Sequence, residues 1–324
     1  MNTDIRYKNI LVTGGAGFIG SNLCRKLIND GVSIWCLDNL ITGKIENVKD
    51  LLHCERFHFI EQDIKTFDFK ILPSDIDAII NLASIASPKA YYARPIDTLL
   101  TSVLGVYNLL QYAKKEDIVL LQASTSEVYG DPACDILNES YCGNVSCTGP
   151  RACYDEGKRT AETLCMDYHR LYNVKVKIIR IFNTYGPYMD ICDGRAIPEF
   201  IYRSLHNRDL IIYGDGKQTR SFMYIDDLLE AIYNVMNLDD IYTYPINIGN
   251  PNEEYTISEV AETIIRTLDS KSKIIYKEKL QDDPYKRKPD ITKIITKTNW
   301  RPLVSLKEGL LKTIDYFENY DHSA

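Results

Sequence analysis

Short apolar runs alternate with amphipathic segments along the first half of this chain. The runs NILVTGG, VSIWCLDN, FHFIEQDI, AIINLAS, DIVLLQAS and VKVKIIRIFNTYG are rich in aliphatic residues and predict buried strands. The segments SNLCRKLINDG, TLLTSVLGVYNLLQYAKKE and DEGKRTAETLCMDYHRLYN carry apolar residues at helical spacing. Strands that alternate with helices form parallel βαβ units, so the pattern predicts an α/β fold with a doubly wound parallel sheet.

The regular alternation ends near residue 187. The segments PYMDICDGRAIPEFIYRSLHNRD and LIIYGDGKQTRSFMYIDD mix polar, glycine and apolar positions without the βαβ rhythm. We therefore expect a sheet domain over residues 1–186 and a smaller, less regular substrate-binding region over residues 187–324. Residues 222–250 are expected to return and pack on the sheet domain.

Composition and charge narrow the classes of function. The 324 residues carry a formal net charge of −7, which argues against a general binder of nucleic acid or of anionic membrane surfaces. The nine cysteines are scattered and include no C-x-x-C pair, which favours free thiols in a reducing compartment over structural zinc. We expect no bound metal.

The chain also shows no sign of membrane insertion or export. No apolar run approaches the length of a membrane span. The start, MNTDIRYKNILVTGG, enters the first predicted strand almost at once and leaves no room for a signal peptide. We therefore expect a cytoplasmic protein.

The first predicted strand runs into the glycine-rich segment TGGAGFIG, residues 13–20. Gly14, Gly17 and Gly20 are spaced G-x-x-G-x-x-G between a predicted strand and a predicted helix. Such a turn lets the backbone approach a pyrophosphate, and the helix N-terminus attracts its negative charge. The alternative is a βα turn that binds no ligand. The combination of strand, glycines and helix favours a Rossmann-type dinucleotide site.

Two aspartates could complete this site. Asp38 ends the second predicted strand, 38 − 20 = 18 residues after Gly20, where a carboxylate accepts hydrogen bonds from ribose hydroxyls. The carboxylate would repel a 2′-phosphate and no arginine adjoins it, so NAD is favoured over NADP. Asp63, at the end of the third strand, is expected at the adenine edge, with an ordinary loop aspartate as the alternative.

Tyr154 and Lys158 stand four residues apart in GPRACYDEGKR, residues 149–159. On a helix this spacing places the phenol and the ammonium on one face. Lys158 would then lower the pKa of Tyr154 from about 10 and make the phenol a base near neutral pH. Thr125 directly follows DIVLLQAS, and its hydroxyl could bind a substrate oxygen beside the phenol. The alternative is a chance pair on an amphipathic helix.

These motifs resemble those of the extended short-chain dehydrogenase/reductases, and most of all those of the UDP-glucuronate decarboxylases, or UDP-xylose synthases. The resemblance covers nearly the whole chain. It rests on TGGAGFIGSNL, DNLITG, STSEVYGDP, GPRACYDEGKRTAET, RIFNTYGP, YGDGKQTRSF, INIGNP and DDPYKRKPDI. The segments around Tyr154 and Arg287 are specific to the decarboxylases, whereas the related enzymes share the glycine motif.

The resemblance implies a three-step reaction in which NAD is recycled. The C4 hydroxyl of UDP-glucuronate is oxidised, the resulting β-keto acid loses CO2 from C5, and the 4-keto-pentose is reduced to UDP-xylose. Thr125, Tyr154 and Lys158 would then serve hydride and proton transfer. Glu127 and Arg287 would lie around the sugar ring and its carboxylate, which an arginine can bind through two hydrogen bonds. Decarboxylation of a β-keto acid needs no metal, because the ketone accepts the electrons as an enolate.

The resemblance also implies the remaining contacts. The substrate is expected to contact Lys89, Tyr92, Glu127, Asn183, Arg195, Arg220 and Arg287. NAD is expected to contact Gly14, Gly17, Phe18, Ile19, Gly20, Asp38, Asn39, Thr42, Gly43, Asp63, Ile64, Leu82, Tyr154 and Lys158. A diphosphate suits arginines in an otherwise acidic protein. The alternative for Arg287 is a solvated basic run with Lys286 and Lys288, and the other arginines could be surface residues.

Several other functions remain open at this point. A nucleotide-sugar 4,6-dehydratase typically has Asp-Glu after the threonine, whereas this chain has Ser126-Glu127 and lacks that general acid. A 4-epimerase needs no group for a carboxylate and would leave Arg287 unexplained. An inactive NAD-binding scaffold or redox sensor would not need the set of Thr125, Tyr154 and Lys158. Apiose formation by a ring-contracting relative is disfavoured.

The resemblance finally implies a homodimer that pairs through two long helices of each subunit, here residues 97–115 and 155–172. Both helices carry apolar residues beyond the needs of one buried face. These include Leu99, Leu100, Val103, Leu164 and Met166. Core packing within one subunit is the alternative explanation.

Overall fold

The computed structural model describes residues 4–192, 194–239, 244–278 and 286–319. Within these ranges the strands are β1 (Asn9–Thr13), β2 (Ser33–Asp38), β3 (Phe57–Glu61), β4 (Ala78–Asn81), β5 (Val119–Thr125), β6 (Val176–Ile181), β7 (Thr184–Tyr185), β8 (Leu210–Tyr213), β9 (Thr219–Ser221), β10 (Met223–Tyr224), β11 (Ile246–Ile248), β12 (Glu254–Thr256) and β13 (Ile274–Lys277). The α-helices are α1 (Phe18–Asn29), α2 (Pro88–Ala93), α3 (Pro95–Leu100), α4 (Val106–Glu116), α5 (Ala152–Tyr172), α6 (Ala196–Leu205), α7 (Ile225–Met236), α8 (Ile257–Thr267), α9 (Thr292–Thr298) and α10 (Leu306–Asn319). A π-helical turn, Thr101–Gly105, joins α3 to α4, and short 3-10 helices cover Ile45–Leu51, Phe69–Ile71 and Ser126–Tyr129.

Seven of the strands form one parallel sheet in the order β3-β2-β1-β4-β5-β6-β11. The chain passes from β3, on one side of β1, to β4 on the other side, so the strand order reverses between β1 and β4. In an open parallel sheet, such a reversal of strand order marks the place of a ligand crevice at the carboxyl edge. The predicted doubly wound α/β fold is confirmed.

Side chains alternate between the two faces of this sheet. In β1, Ile10 and Val12 are buried in one core, whereas Leu11 is buried in the other. The first core includes apolar residues of α1 and α7, and the second includes those of α4 and α5. Both faces of the central strands are therefore covered, which is why these strands are nearly continuous apolar runs.

The seventh strand of the sheet comes from the second half of the chain, where β11 pairs with β6. The helix α7, which precedes it, ends against a buried ammonium. Lys177 Nζ of β6 donates to the backbone oxygens of Val235, Met236 and Leu238 at 3.2, 2.8 and 2.6 Å. These bonds satisfy carbonyls at the C-terminus of α7 and fasten the segment to the sheet. The division of the chain at residue 186 stays a prediction, and residues 240–243 lie outside the described ranges.

Candidate active site

A cavity of about 1260 Å³ opens along the carboxyl edge of the sheet. Its wall includes the glycine turn after β1, the Thr125 and Tyr154 side chains, and the arginines at positions 220 and 287. Every residue predicted for the site from the sequence lines this cavity except Asp63. The structure therefore brings the glycine turn and the acid–base residues into one site.

The turn after β1 leaves room for a phosphate. Gly14 has φ +73°, and a Cβ atom there would lie 2.7 Å from the backbone N of Ala83. Only glycine fits where the loops after β1 and β4 approach so closely. The helix α1 begins at Phe18 and has no side-chain cap at Gly17, so its first N–H groups can bind an anion. These features fit the pyrophosphate of a dinucleotide.

Asp38 lies at the end of β2 on the cavity wall. Its Oδ2 accepts a hydrogen bond from Ala16 N, and its Oδ1 accepts one from Leu40 N, both at 2.9 Å. Burial raises the pKa of Asp38, while these backbone N–H groups lower it. A Cβ atom at Gly43 would lie 2.9 Å from both carboxylate oxygens, so the glycine keeps space beside them. A carboxylate in this place fits the recognition of ribose hydroxyls.

Asp63 does not line the cavity, unlike its predicted partners in NAD binding. Its Oδ2 accepts a hydrogen bond from Asn39 Nδ2 at 3.0 Å, and its Oδ1 accepts one from Lys65 N at 2.8 Å. Lys65 Nζ lies 3.5 Å from Oδ2. Asn39 is itself on the cavity wall. Asp63 therefore orients a wall residue, and a direct contact with adenine stays a prediction.

Tyr154 is buried in the first turn of α5, with 7% of its surface exposed. Its ring stacks on that of Tyr91, with 5.5 Å between the centroids and 10° between the planes. Burial raises the pKa of Tyr154 to about 12, although a hydrogen bond with the Thr125 side chain lowers it. Thr125 Oγ1 also accepts a hydrogen bond from Glu127 N at 3.2 Å. The phenol and the threonine hydroxyl therefore meet on the cavity wall.

Lys158 shares the helix face of Tyr154, and its Nζ lies 6.0 Å from the centroid of the Tyr154 ring. The Nζ donates a hydrogen bond to Ala123 O at 2.8 Å. Burial lowers the pKa of Lys158 to about 8, while the charge of Glu162 raises it. The prediction that Lys158 brings the pKa of Tyr154 below 10 is wrong for this structure. Burial of the phenol outweighs any effect of the lysine, which is itself desolvated.

Glu127 is held between two arginines. Its Oε1 accepts a hydrogen bond from Arg287 Nη1, and its Oε2 accepts one from Arg151 Nη2. Burial would raise the pKa of Glu127, but the charges of Arg287 and Arg151 lower it to about 2. Glu127 is therefore ionised at neutral pH and cannot itself be a general acid there.

Arg287 is not part of a solvated basic run, because 2% of its surface is exposed. The segment that carries it pairs with Leu137. Leu137 N donates to Lys288 O at 2.9 Å, and Asp290 N donates to Leu137 O at 2.8 Å. The Nε of Arg287 is buried and has no hydrogen-bond partner among the described residues. A buried cation with an unused donor on a cavity wall suits an anionic ligand. The first four residues of DDPYKRKPDI, 282–285, lie outside the described ranges.

Sequence reasoning missed Arg151 and Tyr91 on the cavity wall, and Asp155, which lies beside Arg151. Arg151 binds Glu127 across 24 residues of sequence, and its Nε lies 3.9 Å from Asp155 Oδ2. Burial and the charge of Glu127 raise the pKa of Asp155 to about 7. The Tyr91 hydroxyl is buried without a partner in the part of the chain that the structure describes. The available signal was GPRACYDEGKR, which contains Arg151 and Asp155 but does not reveal their distant partner.

The other predicted substrate residues surround the cavity as well. Asn183 follows β6, and its Nδ2 is buried with no hydrogen-bond partner in the described ranges. Arg195 and Arg220 donate to backbone carbonyls at 3.4 and 2.8 Å. Lys89 and Tyr92 are exposed on α2. The cavity wall thus offers several donors and positive charges, and the individual contacts with a substrate stay predictions.

Three further features bear on the expectations from composition. No group of three or more His, Cys, Asp or Glu residues in the described ranges could hold a metal ion. No helix in those ranges is long and apolar enough to cross a membrane. All nine cysteines are free thiols. The lack of a metal and the cellular compartment stay predictions.

The parallel sheet, the glycine turn and the Tyr154–Lys158 pair define an NAD-dependent enzyme of the short-chain dehydrogenase/reductase class. Comparison with known families agrees with this assignment. Residues 10–249 match the profile described as "NAD dependent epimerase/dehydratase family", and the chain belongs to this family. Its cofactor is NAD.

Similar proteins include named enzymes that resemble this chain over most of its length. UDP-glucuronic acid decarboxylase 1 of Arabidopsis thaliana is 46% identical over 310 residues, which are 96% of this chain and 70% of the relative. The protein of the same name from Danio rerio is 46% identical over 318 residues, 98% of this chain and 74% of the relative. A crystal structure of UDP-glucuronic acid 4-epimerase from Bacillus cereus, in complex with UDP-glucuronic acid and NAD, has a TM-score of 0.87 and 30% identity. It covers 96% of this chain and 99% of that chain. The resemblance to the UDP-glucuronate decarboxylases is confirmed.

Proposed function

We propose that this enzyme converts UDP-glucuronate to UDP-xylose and CO2, with NAD used in the first step and regenerated in the last. The observation that carries the proposal is Arg287. It is a buried cation on the same cavity wall as Tyr154, and its Nε–H has no acceptor among the described residues. The similarity to relatives named UDP-glucuronic acid decarboxylases, at 46% identity over nearly the whole chain, supports the same reaction.

Tyr154 acts as the base in the first step and as the acid in the last. Because the pKa of Tyr154 is raised to about 12, its phenolate is the minor form at neutral pH. This form takes the proton of the C4 hydroxyl while Thr125, its hydrogen-bond partner, orients the sugar oxygen. Bound NAD+ supplies the hydride acceptor for this oxidation. Gly14 and its turn would hold the pyrophosphate of NAD, and Asp38 would hold the ribose. Lys158 keeps its ammonium beside the phenol and favours the ionised form once the proton has left.

Loss of CO2 follows from the ketone at C4. The electron pair of the bond between C5 and the carboxylate carbon moves into the ring, and the C4 oxygen takes the negative charge as an enolate. Arg287 binds the carboxylate before it leaves. Glu127 is ionised, so it does not protonate C5 itself and instead orders a water or another donor near the ring.

The nucleotide end of the substrate is bound by the remaining polar wall. Asn183 supplies its free amide N–H groups to the sugar diphosphate. Arg195 and Arg220 add positive charge for the diphosphate and the nucleotide. Lys89 and Tyr92 contact the substrate from the exposed face of α2.

A 4-epimerase that acts on UDP-glucuronate is the second candidate, favoured by the likeness to the Bacillus cereus enzyme. An epimerase of a sugar acid would also gain from an arginine at the carboxylate. An epimerase that acts on this substrate would therefore explain Arg287, contrary to the expectation from the sequence. We prefer the decarboxylase because relatives of that name reach 46% identity, against 30% for the epimerase.

Product identification separates these two functions. The purified protein is incubated with UDP-glucuronate and NAD+, and the nucleotide sugars are identified by NMR. A decarboxylase yields UDP-xylose and CO2, whereas an epimerase yields the six-carbon C4 epimer and no CO2. Formation of the epimer alone would overturn the proposal.

We further propose that the enzyme works as a cytoplasmic homodimer. The helices α3 and α4 and the π-turn between them expose Ile96, Leu99, Leu100, Leu104 and Tyr107. Such a stripe of neighbouring apolar residues is typical of a protein interface. Of the other helix residues expected there, Leu164 and Met166 pack partly against the core of their own subunit. Nine free thiols fit a reducing compartment.

A further inference from the structure

Arg151 is a charged residue of the cavity wall to which no step above assigns a role. It precedes the first residue of α5, and its side chain is 16% exposed. Its Nη2 donates to Glu127 Oε2, and its Nε faces Asp155 Oδ2 at 3.9 Å. The guanidinium therefore lies between the carboxylate that Arg287 also binds and a second, buried acid.

The two arginines divide the oxygens of Glu127 between them. Arg287 takes Oε1, and Arg151 takes Oε2. The three residues come from distant segments, since Glu127 follows β5, Arg151 precedes α5, and Arg287 precedes α9. Contacts at both oxygens fix the position and the rotation of a carboxylate, which a single contact does not.

This sharing leaves the cluster with an excess of positive charge. Arg151 and Arg287 carry two positive charges against the one negative charge of Glu127. The other acid within reach is Asp155, whose pKa is raised to about 7, so it is largely neutral below that pH. Arg287 also keeps its Nε–H donor without an acceptor among the described residues. The cluster is therefore suited to receive one more anion.

We propose that Arg151 is a positioning residue for the substrate carboxylate, because it occupies one oxygen of Glu127 and so leaves Arg287 able to bind the sugar acid. This inference rests on the proposed function. Without Arg151, both oxygens of Glu127 are free to take the donors of Arg287 as a bidentate pair. Glu127 then competes with the substrate carboxylate for the same guanidinium.

A double-mutant cycle tests this competition, because Arg151 is proposed to act through Glu127. The dissociation constant of UDP-glucuronate is measured by calorimetry with NAD present, in a Tyr154→Phe background that is expected to slow turnover strongly. We expect Arg151→Met to weaken UDP-glucuronate at least tenfold and UDP-glucose less than threefold. When Glu127→Gln is also present, the competing charge is gone, and Arg151→Met should weaken UDP-glucuronate less than threefold.

Two variants control this cycle, and a third can replace Arg151→Met. Arg151→Lys retains a charge for Glu127 and should weaken UDP-glucuronate less than Arg151→Met does. Arg170→Met, near the other end of α5, removes a surface ion pair with Asp167 and should leave both dissociation constants unchanged. If Arg151→Met does not fold or does not bind NAD, the cycle is run with Arg151→Gln under the same criterion.

The possible outcomes are distinct. Equal losses with Glu127 and with Glu127→Gln, or equal losses for UDP-glucuronate and UDP-glucose, would overturn the role of Arg151. An intact cycle in a protein that forms the C4 epimer would instead retain the carboxylate site and overturn the decarboxylation.

Discussion

Burial governs the acid–base behaviour of Tyr154 and Lys158. It raises the pKa of the phenol to about 12 and lowers the pKa of the ammonium to about 8, in both cases toward the neutral form. The four-residue spacing in the sequence predicted which groups meet, because that spacing is local to one helix. It could not predict their protonation, because desolvation depends on Tyr91, Ala123 and other distant parts of the chain that cover them.

Replacing the phenol tests its role as the base. Tyr154→Phe keeps the ring that stacks on Tyr91 and removes the proton acceptor. Turnover of UDP-glucuronate should fall by about 10²- to 10⁴-fold, the usual contribution of a positioned base. NAD binding, followed by fluorescence, should be unchanged. A variant that kept most of its activity would show that Tyr154 is simply a packing residue.

Lys158 is expected to destabilise the folded protein. Its pKa of about 8 lies below the value of about 10.5 expected in the unfolded chain, so the unfolded chain binds the proton more tightly. The penalty is complete below pH 8 and is relieved as the pH rises toward 10.5. The destabilisation that follows from this difference in pKa is on the order of 3 kcal/mol. In a Met variant the gain from removing it is partly offset by the loss of the hydrogen bond to Ala123.

Thermal unfolding without NAD measures this penalty. Lys158→Met should unfold at a higher temperature than the wild type at pH 7, and the difference should shrink as the pH approaches 10. The variant should also lose turnover. A wild type that is more stable than the variant at pH 7, or a difference that grows with pH, would contradict the assignment of Lys158 as a desolvated ammonium.

Among the site residues, contacts between residues far apart in the sequence could not be predicted. Arg151 lies in GPRACYDEGKR, but its role depends on Glu127, which becomes its neighbour only when the fold brings β5 and α5 together. Asp63 shows the opposite case. Its position after β3 was predicted, yet its carboxylate accepts hydrogen bonds from Asn39 and Lys65, and Asp63 does not line the cavity.

At the scale of elements, the longer units were readable from the sequence and the short ones were not. The strands β1 to β6 and the helices α1 and α5 correspond to the apolar runs and amphipathic segments. The pairs β7–β10, β9–β12 and β8–β13 consist of strands of two to four residues, too short for a periodic signal. The helix predicted over residues 98–116 is interrupted by the π-turn at 101–105. The sequence could not predict this interruption, because the apolar pattern does not distinguish an α-helix from a π-helical turn.

Mutation of the exposed apolar stripe on α3, the π-turn and α4 tests the proposed dimer interface. Leu104 is 44% exposed in the π-turn, so a charge there should not disturb the core of one subunit. Sedimentation of the wild type should give twice the 37.2 kDa of the chain at micromolar concentration. Leu104→Glu should shift the protein to the monomer, whereas Leu311→Glu, on the exposed face of α10, should not. A wild type that sediments as a monomer would contradict the dimer.

At the scale of the whole molecule, an acidic protein gathers its positive charge where an anionic substrate binds. The chain carries a net charge of −7, yet Arg151, Arg195, Arg220 and Arg287 all line one cavity. The parallel sheet explains this arrangement, because the carboxyl ends of its strands bring loops from both halves of the chain to one edge. The net charge argued against general binding of nucleic acids or anionic membranes. The fold nevertheless concentrates positive charge at this one cavity.

Arg287 is the centre of this account, because it is proposed to bind the carboxylate that leaves as CO2. The direct measurement is the affinity of Arg287→Ala for UDP-glucuronate and for UDP-glucose, with NAD present and in the Tyr154→Phe background. Loss of a charge-assisted contact should cost about 2–3 kcal/mol, so UDP-glucuronate should bind roughly 30- to 150-fold more weakly, with little change for UDP-glucose. Arg287→Lys should rescue little, because a point charge does not reproduce the planar fork. An Arg287→Ala protein that still prefers UDP-glucuronate to the same degree would contradict the account.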